Sequence, residues 1–176
     1  MIKTLDGMTP KIHPTAFVSE VAYIIGDVEI GEGSSIWPGT VIRGDSGKIK
    51  IGKFTNIQDN SVVHGDADVY IGDNVTVGHR VMCHAAVIGE GSLIGNGCVI
   101  NDGVVVGKNS IVGSGAMVIE NMDIPERSIV MGVPGRIRGE VQEKHLVLQG
   151  RLADGYKMKA QRYKNEGNLE CLFRLY

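Results

Sequence analysis

Apolar residues return along this chain at every sixth position. From Ile12 the series runs through Val18, Ile24, Ile30, Ile36 and Ile42. It slips by three residues and resumes at Ile51, Ile57 and Val63, then slips by two and resumes at Ile71, Val77 and Cys83. One residue is then lost, and the period holds from Ile88 through Ile94, Ile100, Val106, Val112, Val118 and Ile124 to Val130. Glycine often follows an anchor, as in "IGE", "IGK" and "VGH". Six is too short a period for an amphipathic helix with its loop, and too regular for independent hairpins. It is the period of a parallel β-helix, in which each hexad is a short strand and a corner. Three hexads make one triangular coil of about 18 residues, with the aliphatic anchors stacked inside. The predicted fold class is all-β, a parallel β-helix of hexapeptide repeats.

The pattern ends near "DIPERSIVMGVPGRIRG", whose proline and glycines close the last coil. From about Arg138 to Asn165, Val141, His145, Leu148, Leu152, Tyr156 and Tyr163 recur at helical spacing. This predicts a β-helix domain over 1–137 and a helical tail over 138–176, with an α-helix packed along one face. Gly150 and Gly155 are expected to kink or split that helix.

The slips fix which residues share a column. Neighbouring coils stand about 4.8 Å apart, the strand spacing of a sheet. His64 follows anchor Val63, and His84 follows anchor Cys83 one coil later, so the two share a column and point outward. Arg43 follows Ile42 and extends the column by one coil. His79 lies two residues past Val77, on another side of the triangle, above Asp59. The five-residue gap in "GHRVMCHA" therefore spans a corner of the prism. Three prisms packed about a threefold axis would bring one subunit's pair to face the next subunit's His79. Three imidazoles leave a fourth position open for water, as in catalytic zinc sites. Cys83 is read as core, and His13 and His145 as surface histidines.

Composition narrows the function classes. The 176 residues carry a net charge of −2 without charge runs, which argues against a nucleic-acid partner. No signal peptide or long apolar run is visible, so no membrane partner and a cytoplasmic location are expected. Cys83, Cys98 and Cys171 make no disulfide framework and fit a reducing compartment. With 25 glycines and only 5% aromatics, the core is expected to be narrow and its turns many.

"RGD" at 43–45, "NIQDNSVVH" at 56–64, "GHRVMCH" at 78–84 and "GVPGR" at 132–136 resemble the gamma-class carbonic anhydrase family. The resemblance runs from about Ile12 into the tail. It implies a left-handed β-helix, a homotrimer, and Zn²⁺ held between subunits, with Fe²⁺ or Co²⁺ as alternatives. It implies reversible hydration of CO2 to bicarbonate by a metal-bound hydroxide, a lyase activity. By match, His64, His79 and His84 are the metal ligands, two from one chain and one from its neighbour. Gln58 is the side chain that hydrogen-bonds the hydroxide, and Asn56 steadies it. Arg43, Asp45 and Asp59 form the interface salt-bridge set, and Tyr156 is a tail tyrosine that reaches the site. Ser46 stands where the best-known active members carry a glutamate. The loop after His64 is only "GDADVY", with Asp66 and Asp68 in place of a shuttle glutamate. Two other functions fit the repeat: a metal-bound scaffold without turnover, and a hexapeptide acyltransferase using one histidine as base.

Overall fold

The computed structural model describes residues 1–84 and 87–167. Short parallel strands stack into three ladders joined at the corners of a triangular coil. The first face runs Ile24, Ile42, Val63, Cys83, Ile100 and Val118 in register. The second runs Ile12, Ile30, Ile51, Ile71, Ile88, Val106 and Ile124. The third runs Val18, Ile36, Ile57, Val77, Ile94, Val112 and Val130. Every anchor from Val18 to Val130 is buried, at 3% exposure or less, while Ile12 in the first coil is partly exposed. The core is thus a column of Ile and Val, with hardly a ring in it.

The slips in the six-residue period all fall at one edge of the prism, between the first face and the second. The extra residues lie in the long strand Val41–Ile51 and in the loop at 64–68. The shortened passage lies between Met82–Cys83 and Val87–Ile88. This edge carries Arg43, Asp45, His64, Asp66 and His84. Elsewhere the corners stay tight. A Cβ on Gly52 would lie 2.6 Å from the carbonyl carbon of Gly72 one coil on, so only glycine fits there.

A second inward position carries hydroxyls. Ser61, two residues before anchor Val63, is fully buried. Its Oγ donates to the Gly78 carbonyl at 2.8 Å and accepts the Val81 N–H at 3.0 Å. Ser34, Thr55, Ser92 and Ser110 repeat this bridging one coil at a time. The hydroxyls satisfy backbone groups where the coil turns and its ladder is interrupted. Ser61→Ala leaves both partners buried and unmet, and is expected to cost about 1–3 kcal/mol in urea unfolding.

The tail departs from the expected helix at its start. Strand Arg136–Glu140 folds back antiparallel on Ser128–Met131, and the helix, α1, spans Glu143–Asn165. Pairing to the last coil wins over helical spacing in that stretch. The Gln142 N–H donates to Nδ1 of His145 at 3.0 Å, so this surface histidine caps the helix start. Helix α1 runs unbroken through Gly150 and Gly155, where an added Cβ would meet open space. Its packed stripe also differs from the expected one. Gln149, Ala153 and Ala160 are buried and Tyr156 and Tyr163 pack, whereas Leu148 and Leu152 are 52% and 36% exposed. Alanines let the helix approach the third face, and Tyr156 and Tyr163 close on Trp37 at 5.3 and 5.2 Å. No described helix is long and apolar enough to cross a membrane.

Candidate metal centre

His64 and His84 stand one coil apart on the slipped edge, as the column count predicts. Nδ1 of His64 faces Nε2 of His84 at 2.8 Å. Each ring is held from its other side. His64 Nε2 bonds Asp45 Oδ1 at 2.9 Å, and His84 Nδ1 bonds Asp102 Oδ1. A carboxylate accepts, so the ring protons sit on those outer nitrogens and the two facing nitrogens carry lone pairs. Two lone pairs at that separation repel unless a proton or a cation lies between them. Carboxylate–histidine pairs aimed at a common point are what metal-ligating imidazoles use to fix tautomer and ring orientation. The donor set therefore fits a divalent transition metal.

Asp45 is held in its ionised form. Burial pushes its carboxyl upward, but hydrogen bonds from Arg43 and His64 outweigh that and hold it below the ordinary carboxylate range. Arg43 donates to Asp45 Oδ2 within the same chain. His64 is buried at 7% exposure although it points away from the core, because this edge covers it. Asp66 adds a third donor: its carboxylate and the nitrogens of His64 and His84 all lie within 4.8 Å of one another. Asp68 is committed elsewhere, its Oδ1 accepting the Lys48 N–H at 2.9 Å.

His79 is placed separately. Its donor atoms lie outside that close group, and its side chain is 42% exposed. Nδ1 bonds Asp59 Oδ2 at 2.9 Å, and Nε2 faces the hydroxyl of Tyr156 at 3.4 Å. Helix α1 delivers Tyr156, whose ring meets Trp37 edge-on. Burial, with Asp59 nearby, pushes the Tyr156 phenol upward, so it stays protonated. Each of the three histidines thus has its own carboxylate: Asp45 for His64, Asp59 for His79 and Asp102 for His84. Arg43 and Asp59 do not pair within one chain, since each already serves a neighbour.

Gln58 and Asn56 are buried on the third face, at 5% and 1% exposure. Gln58 Nε2 donates to Asn56 Oδ1 at 2.9 Å, and Asn56 Nδ2 donates to Thr76 Oγ1 at 2.9 Å. The chain of donors fixes the amide of Gln58 and leaves its Oε1 for another partner. Asp102 was absent from the sequence expectations. Its signal was an acidic residue one position beyond the residue that the register sets next to His84 in the following coil. Cys83 and Cys98 are buried, Cys83 as an inward anchor, and Cys171 lies outside the described residues.

Fold and site together define a hexapeptide-repeat parallel β-helix with imidazole–carboxylate pairs along its edges. The profile of the bacterial transferase hexapeptide (six repeats) matches residues 9–44 and 85–120. The chain is 39% identical over 166 residues to a carbonic anhydrase of Geobacillus kaustophilus (strain HTA426), covering 93% of this chain and 91% of that protein. It is 39% identical over 165 residues to the mitochondrial gamma carbonic anhydrase 1 of Arabidopsis thaliana, covering 89% of this chain. The chain spans 60% of the length of that plant relative. Among solved structures, a hexapeptide transferase family protein from Anaplasma phagocytophilum superposes with a TM-score of 0.88 at 34% identity, covering 92% of this chain and 97% of that one. The chain belongs to the gamma-class carbonic anhydrase family.

Proposed function

We propose that this chain is a metal-dependent carbonic anhydrase that hydrates CO2 reversibly to bicarbonate at sites shared between subunits of a homotrimer. The observation that carries the reading is the pair of facing nitrogens on His64 and His84, each imidazole backed by its own carboxylate. His64 and His84 of one subunit would hold Zn²⁺, or Fe²⁺ or Co²⁺, together with His79 of the next. A bound divalent cation supplies Lewis acidity and turns water into a nucleophile near neutral pH. Asp45, Asp102 and Asp59 would fix the orientation of the three imidazoles and the nitrogen each one presents. Gln58, steadied by Asn56, presents its amide to orient the nucleophile or the bicarbonate oxygen. His79 would bind through Nε2, the nitrogen that faces the Tyr156 hydroxyl, so that hydroxyl would yield the lone pair to the metal and stand beside the site.

A further feature supports the shared site. Beside the histidine column, Val41, Val62, Met82, Val99 and Met117 form an outward apolar ladder on the first face. Met82 is 38% exposed in the single chain. A continuous apolar strip next to a half-built site is what a subunit interface covers.

Acyl transfer is the second reading, favoured by the similarity to the hexapeptide transferase family protein. Stopped-flow CO2 hydration separates the two. Metal-loaded protein, prepared with and without air, is expected to exceed the buffer blank, to lose that rate on chelation and to regain it on reloading. No rate above the blank in any loaded preparation sinks the hydratase reading. Thioester-dependent acetyl transfer that survives complete metal removal establishes the alternative.

A further inference from the structure

We propose that Asp66 is a fourth protein ligand to the metal, so that one chain alone supplies two imidazoles and a carboxylate. The inference rests on the metal reading of His64 and His84 and goes beyond it. Asp66 lies in the loop after His64, where a shuttle acid is expected. The structure puts its carboxylate within 4.8 Å of a ring nitrogen of each of the two histidines. Ligands around a tetrahedral zinc lie about 3.4 Å apart, given bond lengths of about 2.0–2.2 Å.

The loop is built to hold Asp66 there. On one side, a Cβ on Gly65 would collide with Cγ2 of Val69 at 2.5 Å, so only glycine allows this close passage. On the other, the Ala67 backbone lies against Gly47, where a Cβ would come within 2.3 Å of the Ala67 carbonyl carbon. The Asp68 carboxylate then pins the loop to the Lys48 N–H. Asp66 is the acidic residue between these two fixed points, and its carboxylate belongs to the same close donor group as the two histidines.

A carboxylate joining three imidazoles has two consequences. It fills the position that a catalytic zinc site leaves to water, giving the closed coordination of a structural site. It also adds a hard oxygen donor to the nitrogen set, which broadens the metals the site accepts. Asp66 in this role is a gate on the open position: turnover requires the carboxylate to swing away.

Cobalt(II) titration with visible absorption tests this without any activity assay. Wild type is expected to bind cobalt, and His64→Ala is expected to lose it. Asp66→Asn is expected to bind more weakly by over about 100-fold, more than removal of an outer partner costs, with an altered d–d spectrum, and to respond to added azide where wild type does not. Asp66→Ala, an exposed truncation, should behave the same way. If wild type and both Asp66 variants share one affinity, one spectrum and one azide response while His64→Ala loses the metal, the Asp66 proposal falls and the metal reading stands. If wild type itself binds no cobalt, both fall together.

Discussion

His64→Ala is expected to remove the metal and the CO2 hydration rate together. The loss should exceed the roughly 100-fold drop in affinity that follows removal of an outer carboxylate partner. The reason is geometric. His64 is the most buried of the three histidines, and Asp45 is fixed by both its ring and Arg43. Alanine removes one of two facing donors and leaves the ionised Asp45 carboxylate without its imidazole partner. His145→Ala is the control, because that ring accepts a backbone N–H at the helix start and lies outside the site. Metal content by elemental analysis and hydration by stopped flow should fall in parallel for His64→Ala and stay level for His145→Ala. Metal content that stays at the wild-type level in His64→Ala overturns the assigned ligand set.

Mixing defective subunits carries the second large effect. His79→Ala and His64→Ala homotrimers are each expected to be inactive, since every site lacks one imidazole. When the two are unfolded together and refolded as an equal mixture, random assembly about a threefold axis rebuilds about one quarter of the sites. Those sites take His64 and His84 from a His79→Ala subunit and His79 from a His64→Ala neighbour. Hydration activity should rise from the blank to about that fraction of wild type. A site contained within one chain predicts no recovery at any ratio. The single chain already favours sharing, because His79 lies outside the close group formed by His64, Asp66 and His84. The exposed ladder through Met82 marks the face that a neighbour would cover.

Columns counted from the spacing coincide with the strand register residue by residue. Val41 pairs with Val62 and then Met82, and Ile42 with Val63 and then Cys83, so His64 and His84 had to be neighbours. Parallel strands permit this because pairing register is an additive count along a coil. The helix was less legible. Its spacing selected Tyr156 and Tyr163, which do pack, but also the exposed Leu148 and Leu152 in place of Gln149, Ala153 and Ala160. Which stripe of a helix packs depends on what the opposing face offers. Here that face offers Phe17 and Trp37, which take tyrosine edges and small residues better than leucine. The start of the helix was misplaced for a related reason, since Arg136–Glu140 found a strand partner in the last coil.

The carboxylate partners show the same division. Asp59 below His79 followed from the count, and the two side chains do bond. Asp102 did not, because a side chain one residue off the column reaches its partner diagonally. The sequence by itself determined the coil, its stacked core, the edge where the period slips, and the pairing of His64 with His84. All of these are consequences of a repeat counted along one chain. Only the tertiary structure decided which ring nitrogen each histidine presents, which carboxylate backs it, how the helix lies, and that Asp66 stands beside the pair. Those depend on side-chain directions and on contacts between segments far apart in sequence, and a linear count carries neither.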